Sequence, residues 1–428
     1  MAHPPDASTG VHRGPDRPAL GPRRAALVCA FPRALAVALP DSGTVVGRVW
    51  LAERGLPDTE VSASHLRLSR KGGVLGVADV GSRNGTWVHG VRLRPGELVS
   101  LEDGAVLRFG QSVFVVREGL LGPFEPAAPV GDLVGPFGLR AVAATLEGLR
   151  VAHPGNVLIE GETGTGKEHL AFAVATALGR AEPYGAVNVA GLPAGVFESQ
   201  LFGHVAGAFS GARTAAKGVV AAHAGGTVFF DEVGELAWEL QAKLLRLLDN
   251  REILPVGAER PVRADVLVVA ATNRALEAMV EAGTFRSDLY ARLAQARLLL
   301  PPLRERREDV FAIAQALVRR KGGELALGAV EVEAVERLML EPWPRNVREL
   351  ASALDAARRV DPTPGLRLWA LEDVLGAAPA HGDRPALTEE VVAATVEAAG
   401  GNLTEAARRL GVSRGKLLRS RKRVGPKG

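Results

Sequence analysis

Short apolar runs separated by turn residues fill the chain between residues 25 and 118. The runs are two to four residues long, and Gly, Ser, Asp and Asn lie between them. Such runs at close spacing are typical of an all-β sandwich. We predict strands over six of them: Val45–Val46, Leu66–Leu68, Val74–Val77, Thr86–Val88, Val106–Phe109 and Val113–Val116.

The pattern changes between residues 132 and 375, where apolar strands alternate with helical segments. Strands that are apolar on both faces belong to a parallel sheet with helices on both sides. Asn156–Ile159, the run before Asp231, and Val266–Thr272 are predicted strands, and His169–Ala175 is a predicted helix. This segment is therefore predicted to have an α/β fold.

Proline-bearing segments mark the remaining boundaries. Residues 1–24 contain five prolines and no periodic pattern, so we predict a disordered tail. Residues 119–131 and 376–386 are predicted linkers. Residues 387–428 contain three predicted helices, with a stop or tight turn between neighbours, and form an all-α module.

Composition narrows the class of protein. The 428 residues are 47% hydrophobic and 23% charged, as in folded soluble proteins. The single cysteine, Cys29, fits a reducing compartment. No apolar run is long enough to predict a membrane span, and no signal-peptide core precedes a cleavage site. We therefore expect a cytoplasmic protein without a membrane partner.

Charge is concentrated at the end of the chain. Residues 401–428 hold nine Lys or Arg and one acid, a balance of +8, which leaves −4 for the rest of a chain whose net charge is +4. A basic terminal block on a mildly acidic body indicates a nucleic-acid-binding module. The alternative is a solvated basic tail.

A glycine-rich turn between a predicted strand and a predicted helix is the first candidate for chemistry. This context is the one that a phosphate-binding loop requires. Its glycines let backbone N–H groups converge on phosphate oxygens at a helix N-terminus, and Lys167 supplies a positive charge. Glu168 stands where most such loops have Ser or Thr to hold Mg²⁺. The predicted nucleotide-binding residues are Gly161, Glu162, Thr163, Gly164, Thr165, Gly166, Lys167 and Glu168.

Two carboxylates follow the second predicted strand. Asp231 at the strand end is suited to hold Mg²⁺, and Glu232 to orient the attacking water for phosphoryl transfer. Together with the loop around Lys167 they predict binding and hydrolysis of ATP with Mg²⁺. Asn273, after the third strand, is predicted to lie near the γ-phosphate.

Residues 198–212 carry a longer motif, ESQLFGHVAGAFSGA. With the nucleotide motifs, it resembles the AAA+ domain of the sigma-54-dependent transcriptional activators, whose pattern is ESELFGHxxGAFTGA. The resemblance implies a P-loop domain with a helical lid, and a loop that contacts the sigma-54 RNA polymerase holoenzyme. One large apolar residue among small ones also fits a mobile protein contact; the alternative places Phe209 in a buried turn. The predicted contact residues are Gly207, Ala208, Phe209, Ser210, Gly211 and Ala212.

The same resemblance assigns further roles by position. Glu168 is typical of the family's loop. Asn188 would pair with Glu232, Arg286 and Arg292 would reach a neighbouring subunit's site, and Arg348 in the lid would sense the γ-phosphate. An arginine supplied in trans makes hydrolysis depend on assembly. The resemblance therefore implies a homo-oligomeric ring, typically a hexamer.

Residues 25–118 resemble a forkhead-associated (FHA) domain through the motifs GR, SxxH and SxNGT in the expected order. The resemblance implies recognition of a phosphothreonine-containing protein or a Ser/Thr kinase. A phosphate dianion is met by arginine, hydroxyl and amide groups. The predicted binding residues are Arg48, Ser62, Arg83 and Asn84, with His65 bracing the loops. For Asn84 alone, the alternative is an ordinary hairpin turn.

The end of the chain resembles the Fis-type helix-turn-helix of the same activators, from Gly400 to Arg423. The resemblance implies binding of enhancer DNA by the last helix. Residues near its start would meet base edges in the major groove. The predicted DNA-binding residues are Ser413, Arg414, Lys416 and Arg419.

These observations favour a multidomain activator with a phosphothreonine-binding sandwich, an ATPase domain and a DNA-binding helix-turn-helix domain. Two other classes stay open at this point. One is a transcription factor with a vestigial ATPase, which the intact Lys167, Asp231 and Glu232 disfavour. The other is a protein-remodelling AAA+ chaperone, which the motif around Phe209 and the helix-turn-helix disfavour.

Overall fold

The computed structural model describes residues 23–71, 73–190 and 194–376. The chain divides into two units. The first contains residues 119–321 and 342–352, and the second contains residues 25–118, 322–341 and the chain from residue 353 onward. Three predictions lie outside the described residues, wholly or almost wholly: the tail up to residue 22, the linker after residue 376, and the helix-turn-helix with Ser413, Arg414, Lys416 and Arg419.

The second unit contains the predicted all-β sandwich, and this prediction is confirmed. Its described strands form a sheet of order β2-β1-β10-β9-β6-β7 and a sheet of order β3-β4-β5-β8. Apolar side chains from both sheets meet between them, where Phe109 and Phe114 stack with their centroids 4.9 Å apart. The elements are β1 (Arg24–Phe31), β2 (Leu35–Ala38), β3 (Val45–Val46), α1 (Arg48–Ala52), β4 (Leu66–Lys71), β5 (Val74–Asp79), β6 (Thr86–Val88), β7 (Val91–Arg92), β8 (Val99–Leu101), β9 (Val106–Phe109) and β10 (Ser112–Leu120).

Several details of the sandwich differ from the sequence prediction. Strands β1, β2, β7 and β8 were not predicted, and β1 begins at Arg24, within the predicted tail. Its residues from Ala26 to Phe31 are buried because β1 lies between β2 and β10. Strand β10 likewise continues to Leu120, beyond the predicted start of the linker.

The first unit contains the predicted α/β fold, which is also confirmed. Parallel strands have the order β12-β13-β16-β11-β17 in its described part, and β14 and β15 form a separate hairpin. The strands are β11 (Asn156–Glu160), β12 (Tyr184–Asn188), β13 (Thr227–Asp231), β14 (Glu252–Ile253), β15 (Val262–Arg263), β16 (Leu267–Thr272) and β17 (Arg297–Leu299).

Helices follow most of these strands, and apolar clusters fill both faces of the sheet. All six residues of β16 are buried, because a central strand covered on two faces has no side that meets water. The helices are α2 (Arg140–Ala152), α3 (Lys167–Ala177), α4 (Ala194–Phe202), α5 (Val219–Ala222), α6 (Trp238–Asn250), α7 (Leu276–Glu281), α8 (Ser287–Leu293), α9 (Val310–Arg320), α10 (Val332–Leu340), α11 (Asn346–Val360) and α12 (Leu368–Leu375). Of these, α10, α12 and the part of α11 from residue 353 onward belong to the second unit.

Parallel pairing places the carboxyl ends of the strands at one edge of this sheet. Asn188 at the end of β12 lies opposite Asp231 at the end of β13, and Glu160 of β11 lies opposite Thr272 of β16. Ligands of open α/β sheets bind outside the carboxyl ends of the strands. The topology therefore gathers the candidate residues at one place.

Candidate functional site

The glycine-rich loop connects β11 to α3 in the conformation of a phosphate-binding loop. Gly164 and Gly166 have φ of 80° and 106°, which side chains rarely adopt. A Cβ on Gly164 would also lie 2.2 Å from the Arg345 carbonyl oxygen. The Thr165 hydroxyl donates to the Glu162 carbonyl at 2.8 Å and closes the turn. The loop thus presents backbone N–H groups at the first turn of α3.

A cavity of about 440 Å³ opens beside this loop. Leu133, Val134, Ile313 and Leu317 give it an apolar part. Residues of the loop and four of the predicted catalytic positions beyond it give it a polar part. The polar lining includes Thr163, Gly164, Thr165, Gly166, Lys167, Glu168, Asn188, Asp231, Glu232 and Arg348.

Lys167 and the carboxylates lie close together at the polar end of the cavity. The buried Lys167 Nζ is 3.0 Å from the Gly161 carbonyl oxygen and 3.4 Å from Glu232 Oε1. Burial raises the pKa of Asp231, the charge of Glu232 raises it further, and Lys167 partly offsets both. Paired carboxylates in a partly buried site are typical of catalytic centres.

Glu232 has a backbone conformation that few side chains adopt. Its φ of 56° lies in the left-handed region, directly after the last residue of β13. Such conformations persist where the surroundings hold them, and they are common at active sites. The Asn273 N–H donates to Glu232 Oε2 at 3.2 Å, and Asn273 Nδ2 donates to Thr163 Oγ1 at 3.0 Å. Asn273 therefore connects the carboxylate to the phosphate-binding loop.

Three residues near this loop received no role from the sequence. Arg304 pairs with Glu162 at 2.5 and 2.7 Å, and this hydrogen bonding lowers the pKa of Glu162 to about 2. The buried Asn346 donates to Glu162 Oε2 and to the Thr163 carbonyl, both at 3.1 Å, and accepts from the Leu303 N–H at 2.7 Å. Asn346 therefore joins the start of α11 to the loop.

The third of these residues is Arg306, which is 1% exposed and lines the cavity. Its Nη2 donates to the Thr165 carbonyl at 3.4 Å. Arg304 and Arg306 contact Glu162 and Thr165, which lie 142 and 141 positions earlier in the chain. No local sequence pattern could therefore predict their role.

Arg286 and Arg292 do not lie with the other catalytic candidates. Arg286 precedes α8 and pairs with Asp288 at 2.7 Å, and Arg292 on α8 pairs with Asp249 at 2.5 Å. Arg292 is exposed and Arg286 partly so. Both are therefore available at the surface of the unit for a contact outside it.

The loop that contains the GAFSGA motif is fixed at its base and exposed at its tip. His204 pairs with Ala216 and with Val256, in the turn between β14 and β15. Gly207 and Gly211, with φ of 82° and 114°, flank Phe209. The Phe209 side chain is 48% exposed and packs edge-on against His204 at 5.0 Å. The alternative of a buried Phe209 is therefore wrong.

The predicted phosphothreonine-binding residues lie on adjoining loops of the sandwich. Arg48 begins α1, and its N–H donates to the Ser62 carbonyl at 3.0 Å. The Ser62 hydroxyl accepts the Arg83 N–H at 3.1 Å, and Asn84 Nδ2 donates to the Glu60 carbonyl at 2.8 Å. The Arg48 and Arg83 side chains are exposed, and the backbones of both residues contact Ser62.

Buried His65 joins two of these loops. Its Nδ1 accepts the Ser62 N–H at 3.1 Å, so Nε2 carries the proton and donates to the Gly85 carbonyl at 2.9 Å. Asp79 holds the second loop through hydrogen bonds from Ser82 and Thr86. Burial raises the pKa of Asp79, but these hydrogen bonds outweigh burial and lower its pKa overall. The loop conformation is therefore set before any ligand binds.

The donor set fits a Mg²⁺ ion that is shared with a nucleotide. Asp231, Glu232 and Glu168 all line the cavity, and Mg²⁺ is usually held by one or two carboxylates, phosphates and water. Within the described ranges, no cluster of three or more His, Cys, Asp or Glu forms a metal cage. The described helices also include none that is long and apolar enough to span a bilayer.

Comparison with known families gives three matches along the chain. An FHA domain matches residues 44–110, a sigma-54 interaction domain matches residues 140–299, and an AAA+ ATPase lid domain matches residues 304–387. In solved structures, the chain is similar to NtrX from Brucella abortus, with 27% identity, a TM-score of 0.50 and coverage of 69% of this chain and 70% of that one.

Similar curated proteins are transcriptional regulators. The regulatory protein LuxO of Vibrio cholerae is 39% identical over 63% of this chain and 57% of its own. The transcriptional regulatory protein ZraR of Klebsiella oxytoca is 38% identical over 68% of this chain and 69% of its own. The chain spans about half the length of several such relatives, such as 44% of AtoC of Escherichia coli. Because the chain matches the sigma-54 interaction domain and aligns with more than two thirds of ZraR, it belongs to the family of sigma-54-dependent transcriptional activators.

Proposed function

We propose that this chain hydrolyses ATP to activate transcription by the sigma-54 RNA polymerase holoenzyme. One observation carries the proposal: Lys167, Asp231, Glu232, Asn188 and Arg348 line a single cavity beside the phosphate-binding loop. Five residues from four separate parts of the sequence meet there. An ATPase of this family requires a phosphate cradle, a cation, carboxylates and a lid arginine in one place.

The residues divide the work of phosphoryl transfer. Backbone N–H groups of the loop and Lys167 hold the phosphates, and Arg348 reaches them from α11. Asp231 would hold Mg²⁺, which would neutralise charge on the phosphates. Glu232 orients the attacking water and accepts its proton, since Asn273 and the left-handed backbone fix the carboxylate. Asn188 pairs with Glu232 and links nucleotide state to the loop of residues 207–212, and Asn273 lies near the γ-phosphate.

Arg286 and Arg292 complete the site of a neighbouring subunit. Both lie outside the cavity of their own chain, and arginines supplied in trans stabilise charge on the transferring phosphoryl group. Hydrolysis therefore depends on a homo-oligomeric ring, which we propose to be a hexamer.

The loop of residues 207–212 delivers the energy of hydrolysis to sigma-54. Its fixed base lies between α4 and the turn after β14, and its exposed tip offers one aromatic side chain. Movement of the loop with nucleotide state would remodel the closed promoter complex. Ser210 keeps the hydroxyl of the usual threonine.

The FHA domain receives a phosphothreonine signal from a partner protein or a Ser/Thr kinase. Arg48, Ser62, Arg83 and Asn84 lie on adjoining loops that His65 and Asp79 hold together. Enhancer DNA is bound by Ser413, Arg414, Lys416 and Arg419, which the sequence places on a recognition helix. The DNA-bound chain thus concentrates the ring near its promoter.

In vitro transcription tests the proposal. Purified protein is added to sigma-54 RNA polymerase holoenzyme on a promoter that requires an activator, with ATP or a non-hydrolysable analogue. We expect transcripts with ATP, none with the analogue, and none from Lys167→Ala. Transcripts that do not need hydrolysis would instead indicate a factor that acts by binding alone. ATP hydrolysis with neither transcripts nor salt-dependent DNA binding would favour a protein-remodelling chaperone.

A further inference from the structure

The FHA sandwich contacts the lid through a buried ion pair inside the second unit. Arg108 on β9 donates from Nε to Glu336 Oε2 on α10 at 2.6 Å, and from Nη1 to Glu333 Oε1 at 3.0 Å. Arg108 is 6% exposed and Glu336 is 5% exposed. Ion pairs withdrawn from water in this way are costly to break on one side only, because the remaining charge keeps no partner.

Further groups of the sandwich complete this contact. The Gly90 N–H donates to Glu336 Oε1 at 3.1 Å, so both carboxylate oxygens have a donor from the FHA domain. The Arg108 guanidinium also stacks on the Trp87 ring at 3.8 Å. A Cβ on Gly90 would lie 3.3 Å from Leu340 Cδ1, which shows how closely the β6–β7 turn packs against α10. We call the set Arg108, Trp87, Gly90, Glu333 and Glu336 the FHA–lid clamp.

The clamp is separate from the predicted phosphothreonine-binding residues. Asn84 precedes β6 by two positions, whereas Gly90 follows the end of β6. Strand β6 thus has the predicted phosphothreonine-binding loop at one end and Gly90 of the clamp at the other. Binding of a phosphothreonine peptide at that loop therefore does not require the clamp atoms to leave the lid.

On the lid side, the clamped helix leads directly to nucleotide-site residues. Helix α10 ends at Leu340 and α11 begins at Asn346. Asn346 donates to the Thr163 carbonyl, the Val347 N–H donates to the Gly164 carbonyl at 3.0 Å, and Arg348 lines the cavity. Only residues 341–345 separate the clamped helix from the segment that contacts the phosphate-binding loop.

We propose that the FHA domain docks on lid helix α10 through this clamp and thereby slows release of nucleotide. The inference rests on the proposed nucleotide site, and it adds a second surface to the FHA domain besides its phosphopeptide loops. Because the lid segment contacts the loop through Asn346 and Val347, release of the clamp lets those contacts open more often.

Charge exchange tests the docking and its effect in the full-length chain. Arg108→Glu places a negative charge against Glu336 and Glu333, and Arg108→Glu with Glu336→Arg restores the pair with Glu336 in reverse. We expect amide exchange in residues 89–92 and 332–340 to rise at least about tenfold in the single variant. Dissociation of a fluorescent ADP analogue should accelerate at least about threefold, and the double variant should recover most of both changes. Arg94→Glu changes an exposed arginine of the same domain and should alter neither quantity.

The two measurements separate failure of this inference from failure of the proposed function. Unchanged amide exchange in Arg108→Glu would overturn the docking, and increased exchange with unchanged ADP dissociation would overturn its effect on the nucleotide. Failure of the double variant to recover ADP dissociation would also overturn the inference. An unaltered chain that binds the analogue but supports no sigma-54 transcription contradicts the proposed function alone, since exchange and ADP release still test the clamp.

Discussion

Single residues carry most of the chemistry proposed for this chain, and their neighbours decide what each can do. Glu232 follows a buried strand in a left-handed conformation, between Lys167 and Asn273. Burial raises the pKa of the adjacent Asp231. Two adjacent carboxylates thus have different surroundings, which suits one to a cation and the other to water.

Replacement of Glu232 by glutamine should separate nucleotide binding from hydrolysis. Glutamine keeps the length of the side chain and its hydrogen-bonding capacity but cannot accept the proton of the attacking water. We expect nucleotide affinity within about threefold of the parent and a turnover lowered by roughly 10²–10⁴. Calorimetry and a phosphate-release assay measure the two quantities. Glu235→Gln, which affects a surface pair with Arg274, is the matched control, and equal losses in both variants would contradict the assignment.

Asp79 should make the FHA loops sensitive to acid. Its pKa in the folded chain lies below the usual value of 3.8, so its stabilising contribution is complete above that pH. The contribution is lost as the pH falls through the folded pKa, because the protonated group loses hydrogen bonds. Asp79→Asn should accelerate amide exchange of residues 81–86 by about tenfold at pH 7, as loss of one buried charged acceptor implies. The ratio of variant to parent should approach one at the lowest pH at which the fold persists; a constant ratio would refute the role of the carboxylate.

At the scale of elements, the loop that contains the GAFSGA motif combines a fixed base with an exposed tip. The base of the GAFSGA loop is paired with Ala216 and Val256, and a Cβ on Gly257 would lie 2.9 Å from Ala208 Cβ. Only the tip with Phe209 extends from this support. A loop with a fixed base and two glycines at left-handed φ can move its tip without unfolding its base.

Phe209→Ala should therefore uncouple hydrolysis from activation. The side chain is about half exposed and contributes little to the core, so ATPase activity should stay within about twofold of the parent. Transcript yield with sigma-54 holoenzyme should fall at least about tenfold, as expected on loss of an aromatic hot spot. Phe172→Ala removes a side chain of similar exposure, 46%, from α3 and should leave transcription intact. Normal transcription by Phe209→Ala would exclude the loop as the sigma-54 contact.

Most elements were predictable because they depend on local pattern. The runs in β11, β13 and β16 are continuous and apolar, and each was predicted within one or two residues. Strands β7 and β8 were missed because two or three residues leave no periodic signal. Strand β7 pairs with the adjacent β6, and β8 is held by pairing with the more distant β5. In the site, motif spacing indicated Lys167 and Asp231, whereas Arg304 and Asn346 come near Glu162 only through folding.

At the scale of the whole molecule, the central question is how copies of the chain act together. Arg292 pairs with Asp249 on the exposed side of α8, and Arg286 precedes the same helix. Neither lines the cavity of its own subunit. We propose that these two exposed arginines complete the nucleotide site of a neighbouring copy.

Mixed rings provide a direct test of sharing. Lys167→Ala and Arg292→Ala should each hydrolyse ATP at a few per cent of the parent rate or less. An equal mixture should regain up to about a quarter of the parent rate, since random assembly gives that share of interfaces an intact pair. Phosphate release after co-refolding or subunit exchange measures this recovery. A mixture no more active than its separate components would show that Arg292 acts within its own subunit or not at all.

The sequence by itself determined the fold classes of the two described domains and the identity of the motifs around Lys167, Asp231, Phe209 and Ser62. It did so because strand and helix periods, glycine turns and motif spacing are local properties of the chain. The tertiary structure decided that Phe209 is exposed, that Asn346 and Arg304 support the phosphate-binding loop, and that Arg108 pairs with Glu336 across 228 positions. Those contacts depend on strand order and on the burial of charges in pairs, which no local stretch of sequence specifies.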